Sequence, residues 1–248
     1  MKKYALITGA SKGIGKAIAK TLAADGFTVI IHYFKSKKLA EKLKKEIGSQ
    51  KGEAHLIQGD LSKPNDIEKM FKALPSVAQK LDLLVNNAGA YFSYYIEDYP
   101  LEKIRYTMDV NFLSLFLTTQ YALPFLKKSK NPQIINISSR LGKEKVVDKS
   151  SAYAASKAAV IQFSRCCALE FRKYRIRVNV VCPGFTNTEM NAPVIKTSGD
   201  LIQISNKIPL GRVAEPQDIA NLVGFLASDE ANYINGESIG VNGGSTLI

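Results

Sequence analysis

The chain has 248 residues, 46% of them hydrophobic, with 34 lysines and arginines against 22 acidic residues, a formal charge of +12. No apolar run approaches the length of about 18 residues that a membrane-spanning helix needs. The apolar run after Lys2 and Lys3 is too short for a signal-peptide core, so a cytoplasmic protein is expected. Three cysteines, two of them adjacent (Cys166 and Cys167), and two separated histidines (His32 and His55) make neither a disulfide framework nor a zinc ligand set, and no metal is expected. The positive field suits an anionic partner such as a phosphorylated cofactor or an acidic carrier protein. The basic patches at 35–45, 127–130, 143–149 and 172–177 lack the interleaved aromatics of single-strand binders, so neither nucleic acid nor membrane is an expected partner.

Tyr4 to Thr8 reads as a strand, followed by Gly9-Ala10-Ser11-Lys12-Gly13-Ile14-Gly15 and an amphipathic helix that Gly26 stops. Strand, glycine-rich turn and helix in that order is the setting in which a backbone can approach a pyrophosphate and offer it a helix N-terminus. Phe27 to Phe34 is a second strand. Dinucleotide binders place an acid for the ribose hydroxyl near its end. Here the run is His32-Tyr33-Phe34-Lys35-Ser36-Lys37-Lys38, with no acid. Lys35, together with Lys12 in the turn, would attract a 2′-phosphate, which favours NADP(H) over NAD(H).

Ala54 to Gln58 is a third strand, ending at Gly59-Asp60-Leu61, and Pro64 opens a helix. Leu81 to Val85 is a fourth strand, running into Asn86-Asn87-Ala88-Gly89. Glu102 to Lys127 reads as one long helix, with Pro124 expected to kink or end it. Then follow a strand ending near Ser139, a helix from Ser151 to Lys173, a strand over Arg177 to Val181, a Pro183-Gly184 loop, a polar segment from Thr186 to Lys207, a helix from Pro216 to Ala227 and a last strand over Ser238 to Val241. Strands and helices alternate throughout. The fold class is therefore α/β, a Rossmann-like doubly wound parallel sheet of about seven strands with helices on both faces, in one domain spanning 1–248. The segment 186–207 has no strong apolar period and reads as a lid.

The helix from Ser151 places Tyr153 and Lys157 four residues apart on one face, phenol beside ammonium. A cation within about 4–6 Å favours the phenolate, so the Tyr153 pKa is expected to fall from about 10. Ser139, at the carboxyl end of an apolar strand, could polarise a carbonyl at the sheet edge where α/β folds bind ligands.

These motifs, in this order, resemble the short-chain dehydrogenase/reductase family over essentially the whole chain. Thr8 to Gly15 matches its T-G-x-x-x-G-x-G, Asn86 to Gly89 its N-N-A-G, and Asn111, Ser139, Tyr153 and Lys157 its catalytic tetrad. Pro183-Gly184 with Thr188 matches its nicotinamide-side loop, and the ending from Tyr233 to Gly244 is also similar. The resemblance implies roles. Tyr153 would exchange a proton with the reacting oxygen. Lys157 would hold the ribose and depress the Tyr153 pKa. Ser139 would hydrogen-bond the oxygen, and Asn111 would anchor a water. The implied cofactor contacts are Gly9, Ser11, Lys12, Gly13, Ile14, Gly15 and Lys35 at the turn; Asp60, Leu61, Asn87, Ala88 and Gly89 along the adenosine and ribose; and Pro183, Gly184, Thr186 and Thr188 beyond. Ser138 competes with Ser139, which is preferred because Gly142 follows at the family's spacing.

Within the family the chain looks most like 3-oxoacyl-[acyl-carrier-protein] reductases, which act in fatty acid biosynthesis, so a small-molecule or carrier-bound carbonyl is the expected substrate. The basic helix end at Arg172, Lys173 and Arg175 would suit an acidic acyl carrier protein. Two stretches depart from that group: Ala90-Tyr91-Phe92-Ser93-Tyr94-Tyr95, and the 142–151 loop with three lysines and Asp148. They leave open a pteridine, sugar-derived, quinone or steroid-like carbonyl. A non-catalytic dinucleotide-binding protein on the same fold is a further alternative. A homotetramer built through the helices at 102–127 and 151–173 is also implied.

Overall fold

The computed structural model describes residues 2–195 and 197–247. Seven parallel strands form one sheet in the order β3-β2-β1-β4-β5-β6-β7. They are β1 (Lys3–Ile7), β2 (Phe27–Tyr33), β3 (Ala54–Gln58), β4 (Leu83–Asn86), β5 (Gln133–Ile137), β6 (Arg177–Pro183) and β7 (Ser238–Val241). All seven residues of β2 and all five of β5 are buried, as their continuous apolar runs require of strands covered on both faces.

Helices α1 (Gly13–Ala24), α2 (Lys37–Ser49) and α8 (Pro216–Ala227) cover one face. Ile18, Leu22, Leu43, Ile47 and Val223 pack there against Val29, Ile31 and Val85. Helices α3 (Pro64–Ala73), α5 (Ser114–Leu126) and α6 (Ser151–Glu170) cover the other, where Ile67, Leu74, Leu126 and Cys167 meet Leu6, Ile30, Leu84 and Val178. The strand order reverses between β1 and β4, and the carboxyl ends of the strands gather at one edge there.

Three expectations need correction. The stretch 102–127 is not one regular helix. It is α4 (Leu101–Met108), a widened i→i+5 turn at Asp109–Leu113, and α5. The widened turn seats Asn111, whose amide is engaged by two other segments, and inserted turns of this kind interrupt a helix. Pro124 lies inside α5, which runs on only to Leu126. The segment 186–207, which has no strong apolar period, nevertheless carries a helix, α7 (Ser198–Ser205), fixed by a reciprocal capping box between Thr197 and Asp200. Lys196 of that segment lies outside the described residues. No described helix is long and apolar enough to cross a membrane, and among the described residues no cluster of His, Cys, Asp and Glu is placed to hold a metal.

Candidate active site

The site begins where β1 turns into α1. Gly9 adopts φ +62°, and a Cβ there would sit 3.0 Å from the Ala88 Cα, so the position requires glycine on both counts. Asn87 fastens the turn from the next strand. Its Nδ2 donates to the carbonyls of Thr8 (2.9 Å) and Gly9 (3.2 Å), while the Asn87 and Ala88 amides donate to Thr8 Oγ1 at 2.9 and 3.1 Å. Gly15 carries no side chain because a Cβ would come within 2.5 Å of both this Nδ2 and the Gly9 carbonyl oxygen.

His32 fastens the other side. The Gly9 amide donates to its Nδ1 at 3.0 Å, which leaves Nε2 protonated and donating to the Gly59 carbonyl at 3.1 Å. Burial holds this imidazole neutral and lowers its pKa to about 4. Lys12 offers the first amides of α1 no side-chain cap. An uncapped helix N-terminus beside Lys12, with Lys35 further along the same cavity, fits a phosphorylated dinucleotide.

The far end lies between β5 and α6. Gly142 lets the turn Arg140–Gly142 close onto α6, where a Cβ would fall 2.5 Å from the Lys157 carbonyl carbon. The two adjacent serines part here. Ser138 is buried and donates to the Lys157 carbonyl at 2.8 Å. Ser139 accepts from the Leu141 amide at 3.1 Å and interacts with the Tyr153 phenol. Lys157 is buried, donates from Nζ to the Ile137 carbonyl at 2.9 Å, and lies 5.8 Å from the Tyr153 ring centroid. Tyr91 stands edge-on to Tyr153, centroids 5.2 Å apart, and pairs its hydroxyl with Ser150 at 3.3 Å.

The acidity expected of Tyr153 is not what this arrangement produces. Burial pushes the phenol up to about 12, opposed by the Ser139 contact, and burial also lowers Lys157 to about 8. An ammonium that is itself desolvated and already committed to a backbone carbonyl does little for the phenolate. In this state Tyr153 is a proton donor.

One cavity of about 770 Å³ joins the two ends. Every sequence-proposed cofactor contact lines it, from Gly9, Ser11, Lys12, Gly13, Ile14, Gly15 and Lys35 through Asp60, Leu61, Asn87, Ala88 and Gly89 to Pro183, Gly184, Thr186 and Thr188. Ser139, Tyr153 and Lys157 line it too. Asn111 does not. Its Nδ2 donates to the Ala90 carbonyl (3.0 Å) and Ser156 Oγ (2.9 Å), and its Oδ1 accepts from the Ala90 amide (2.7 Å). That side chain clamps the 90-loop to α6, and both its donors are spent. Asp60 does not cap α3, since its Oδ1 accepts from Ser62 N and Oγ at 3.0 and 2.7 Å.

Sequence reasoning missed Phe34, Tyr106, Arg140, Met190 and Val194 in the lining. Arg140 had a signal, its place beside Ser139. The others carry none apart from the folded wall. The 187–195 segment is a partition: Thr188 and Glu189 line this cavity and a second one, of about 620 Å³, against α1 and the start of α8.

Comparison with known proteins agrees with this geometry. The family model described as enoyl-(acyl carrier protein) reductase matches residues 9–246. An uncharacterised oxidoreductase of Methylorubrum extorquens is 40% identical over 243 residues, covering 98% of this chain and 97% of its own. The 3-oxoacyl-[acyl-carrier-protein] reductase FabG of Staphylococcus epidermidis is 37% identical over 244 residues, covering 98% and 99%. Among solved structures, the Pseudomonas aeruginosa RhlG/NADP active-site complex superimposes with a TM-score of 0.93 at 33% identity, covering 99% of this chain and 96% of that one. The chain belongs to the short-chain dehydrogenase/reductase family.

Proposed function

We propose that this oxidoreductase reduces a carbonyl to a secondary alcohol with NADPH, or runs the reverse reaction, with Ser139, Tyr153 and Lys157 as its catalytic residues. The observation that carries the reading is the single cavity with an uncapped, lysine-flanked helix start at one end and Tyr153, Ser139 and Lys157 at the other. NADP(H) is favoured over NAD(H) because β2 ends in Lys35 with no acid beside it, and the RhlG structure holds NADP. When bound, the nicotinamide supplies or accepts the hydride. Tyr153 gives its phenolic proton to the carbonyl oxygen as negative charge builds there, a role suited to a phenol that stays protonated. Ser139 donates a hydrogen bond to the same oxygen. Lys157, with donors left beyond Ile137, holds the ribose hydroxyls. Asn111 acts through the 90-loop as a positioning residue.

The nearest reference substrate is a 3-oxoacyl thioester on an acyl carrier, as for FabG, and the reading places the protein in the cytoplasm in fatty acid biosynthesis. The cations proposed to dock the carrier, Arg172, Lys173 and Arg175, precede β6, beside Lys127 over the Tyr174 ring at 3.9 Å. That is the opposite end of the sheet from the cavity. A carrier docked there would have to reach the active site of a second copy, as a homotetramer would supply. The exposed Leu113, Phe116 and Leu169 on this helical face support such an assembly, and a monomeric mass in light scattering would refute it. A second reading, reduction of another carbonyl or ring substrate such as a pteridine, is favoured by Tyr91 standing against Tyr153. The test is loss of NADPH absorbance with a panel that includes an acyl-carrier thioester and a free pteridine. A protein that binds NADPH but turns over nothing in a broad carbonyl panel is a dinucleotide sensor instead.

A further inference from the structure

The catalytic cavity holds a cation that the chemistry above does not use. Arg140 follows Ser139 directly and lines the same cavity as Ser139, Leu141 and Tyr153. It is partly buried, and burial alone holds its guanidinium below the ordinary arginine value. Its Nη1 donates to Ser245 Oγ. Among the described residues, no carboxylate lies within ion-pair distance of it. The neighbouring acids are engaged elsewhere. Glu144 pairs with Lys143 at 2.7 Å, and Asp60 holds Ser62. Glu189 sits by the glycine turn, where its Oε2 lies 3.5 Å from where a Gly13 Cβ would be.

A partly buried arginine with no ion pair among the described residues is free to bind an anion, and the planar guanidinium fork matches a carboxylate with two parallel hydrogen bonds. We infer that Arg140 reads a carboxylate on the substrate, so that the carbonyl presented to Tyr153 belongs to an oxo acid. The inference rests on the carbonyl-reductase reading and narrows its substrate class. A neutral thioester next to the carbonyl would leave the guanidinium without its partner, whereas an oxo acid supplies the missing charge and is oriented by it.

The experiment measures NADPH oxidation with 2-, 3- and 4-oxo acids, each against its own methyl ester. Wild-type protein is expected to favour the acid of at least one pair by about tenfold or more in kcat/KM, the scale of a charge-assisted hydrogen bond. In Arg140→Gln the ratio of acid to ester should fall toward one, and Arg140→Lys should restore part of it. Ser245→Ala controls for a merely structural tether, and it should keep the preference. Esters reduced as well as acids by the wild type would overturn the inference, as would an acid preference that survives Arg140→Gln, while the reductase reading stands. NADPH oxidation with none of the panel would overturn the inference as well, and only failure of the acyl-carrier thioester and the pteridine too, alongside intact NADPH binding, would bring down the reductase reading.

Discussion

The two halves of the cavity are built by different forces. The cofactor half hangs from strand ends and is fastened by directional hydrogen bonds between buried and part-buried groups: Asn87 to the Thr8 and Gly9 carbonyls, Thr8 to two amides, and His32 between Gly9 and Gly59. The substrate half is assembled from segments 90–99, 140–150 and 189–195. Beside the Asn111 clamp on Ala90 and the backbone hydrogen bonds of Asn187 and Asn191, its 90–99 segment is held by ring contacts: Tyr94 on Tyr99 at 5.2 Å, Lys149 over Tyr95 at 4.5 Å, Lys103 over Phe92 at 5.1 Å. Its rim exposes Val146 (89%) and Ile96 (80%). Directional bonds between buried groups tolerate little change, because each lost partner leaves an unsatisfied group behind. Ring and alkyl contacts re-pack. One half is shaped for a fixed ligand, the other for a substrate that differs among relatives.

The comparison breaks most sharply at the residue where the halves meet. Tyr153→Phe keeps the ring against Tyr91 and removes only the proton donor. It should lower kcat by about a thousandfold, within the range of general acid catalysis, and leave NADPH affinity, measured by fluorescence titration, nearly unchanged. Retained turnover would show that another group delivers the proton.

The next largest effect belongs to His32. Its folded pKa of about 4 lies below the 6.5 of an unburied imidazole, so the unfolded chain binds the extra proton first. The stability it contributes is complete above pH 6.5 and is lost as the pH falls toward 4. A shift of this size corresponds to on the order of 3 kcal/mol. Urea midpoints at a series of pH values should fall more steeply between these limits for the wild type than for His32→Asn. Parallel curves would exclude His32 as the titrating group.

The same contrast explains what was legible in the sequence. Gly9 and Gly15 are each required by an approach of about 3 Å or less, and Asn87 by its two bonds to the Thr8 and Gly9 carbonyls, so their spacing survives as a motif. The buried strands kept their apolar runs, and the sheet could be read almost residue by residue. The widened turn at Asp109–Leu113 left no local signal, because it follows from Asn111 reaching Ala90 and Ser156, which are distant in sequence. The Tyr153 acidity was misread for a related reason. Helical spacing reports which groups are neighbours, whereas the pKa depends on how much water the fold removes from them. Met190 and Val194 became part of the lining only through the turns that fold 187–195 against the mouth.

A smaller effect is expected at the open end of the cofactor half. Lys35 is exposed, stacks its ammonium 5.1 Å from the Phe34 ring centroid, and lines the cavity. Lys35→Asp should move the NADPH-to-NADH ratio of kcat/KM by about tenfold toward NADH, since exposed charges each contribute about a kilocalorie per mole or less. The shift should shrink as salt is added. An unchanged ratio would assign 2′-phosphate selection to Lys12 and the turn.

The smallest effect is expected from the re-packable half, and its smallness is the informative part. Tyr91→Leu removes the edge-on ring against Tyr153 and the hydroxyl pair with Ser150, but leaves the backbone clamp through Asn111 and Ala90 in place. An edge-to-face aromatic contact is worth about 0.5–1.5 kcal/mol. The substrate KM should therefore rise about threefold while NADPH affinity and kcat hold. If Tyr91→Leu instead weakens NADPH as strongly as a change at Asn87 does, the two halves are one mechanical unit, and the division between a bonded cofactor side and a packed substrate side fails.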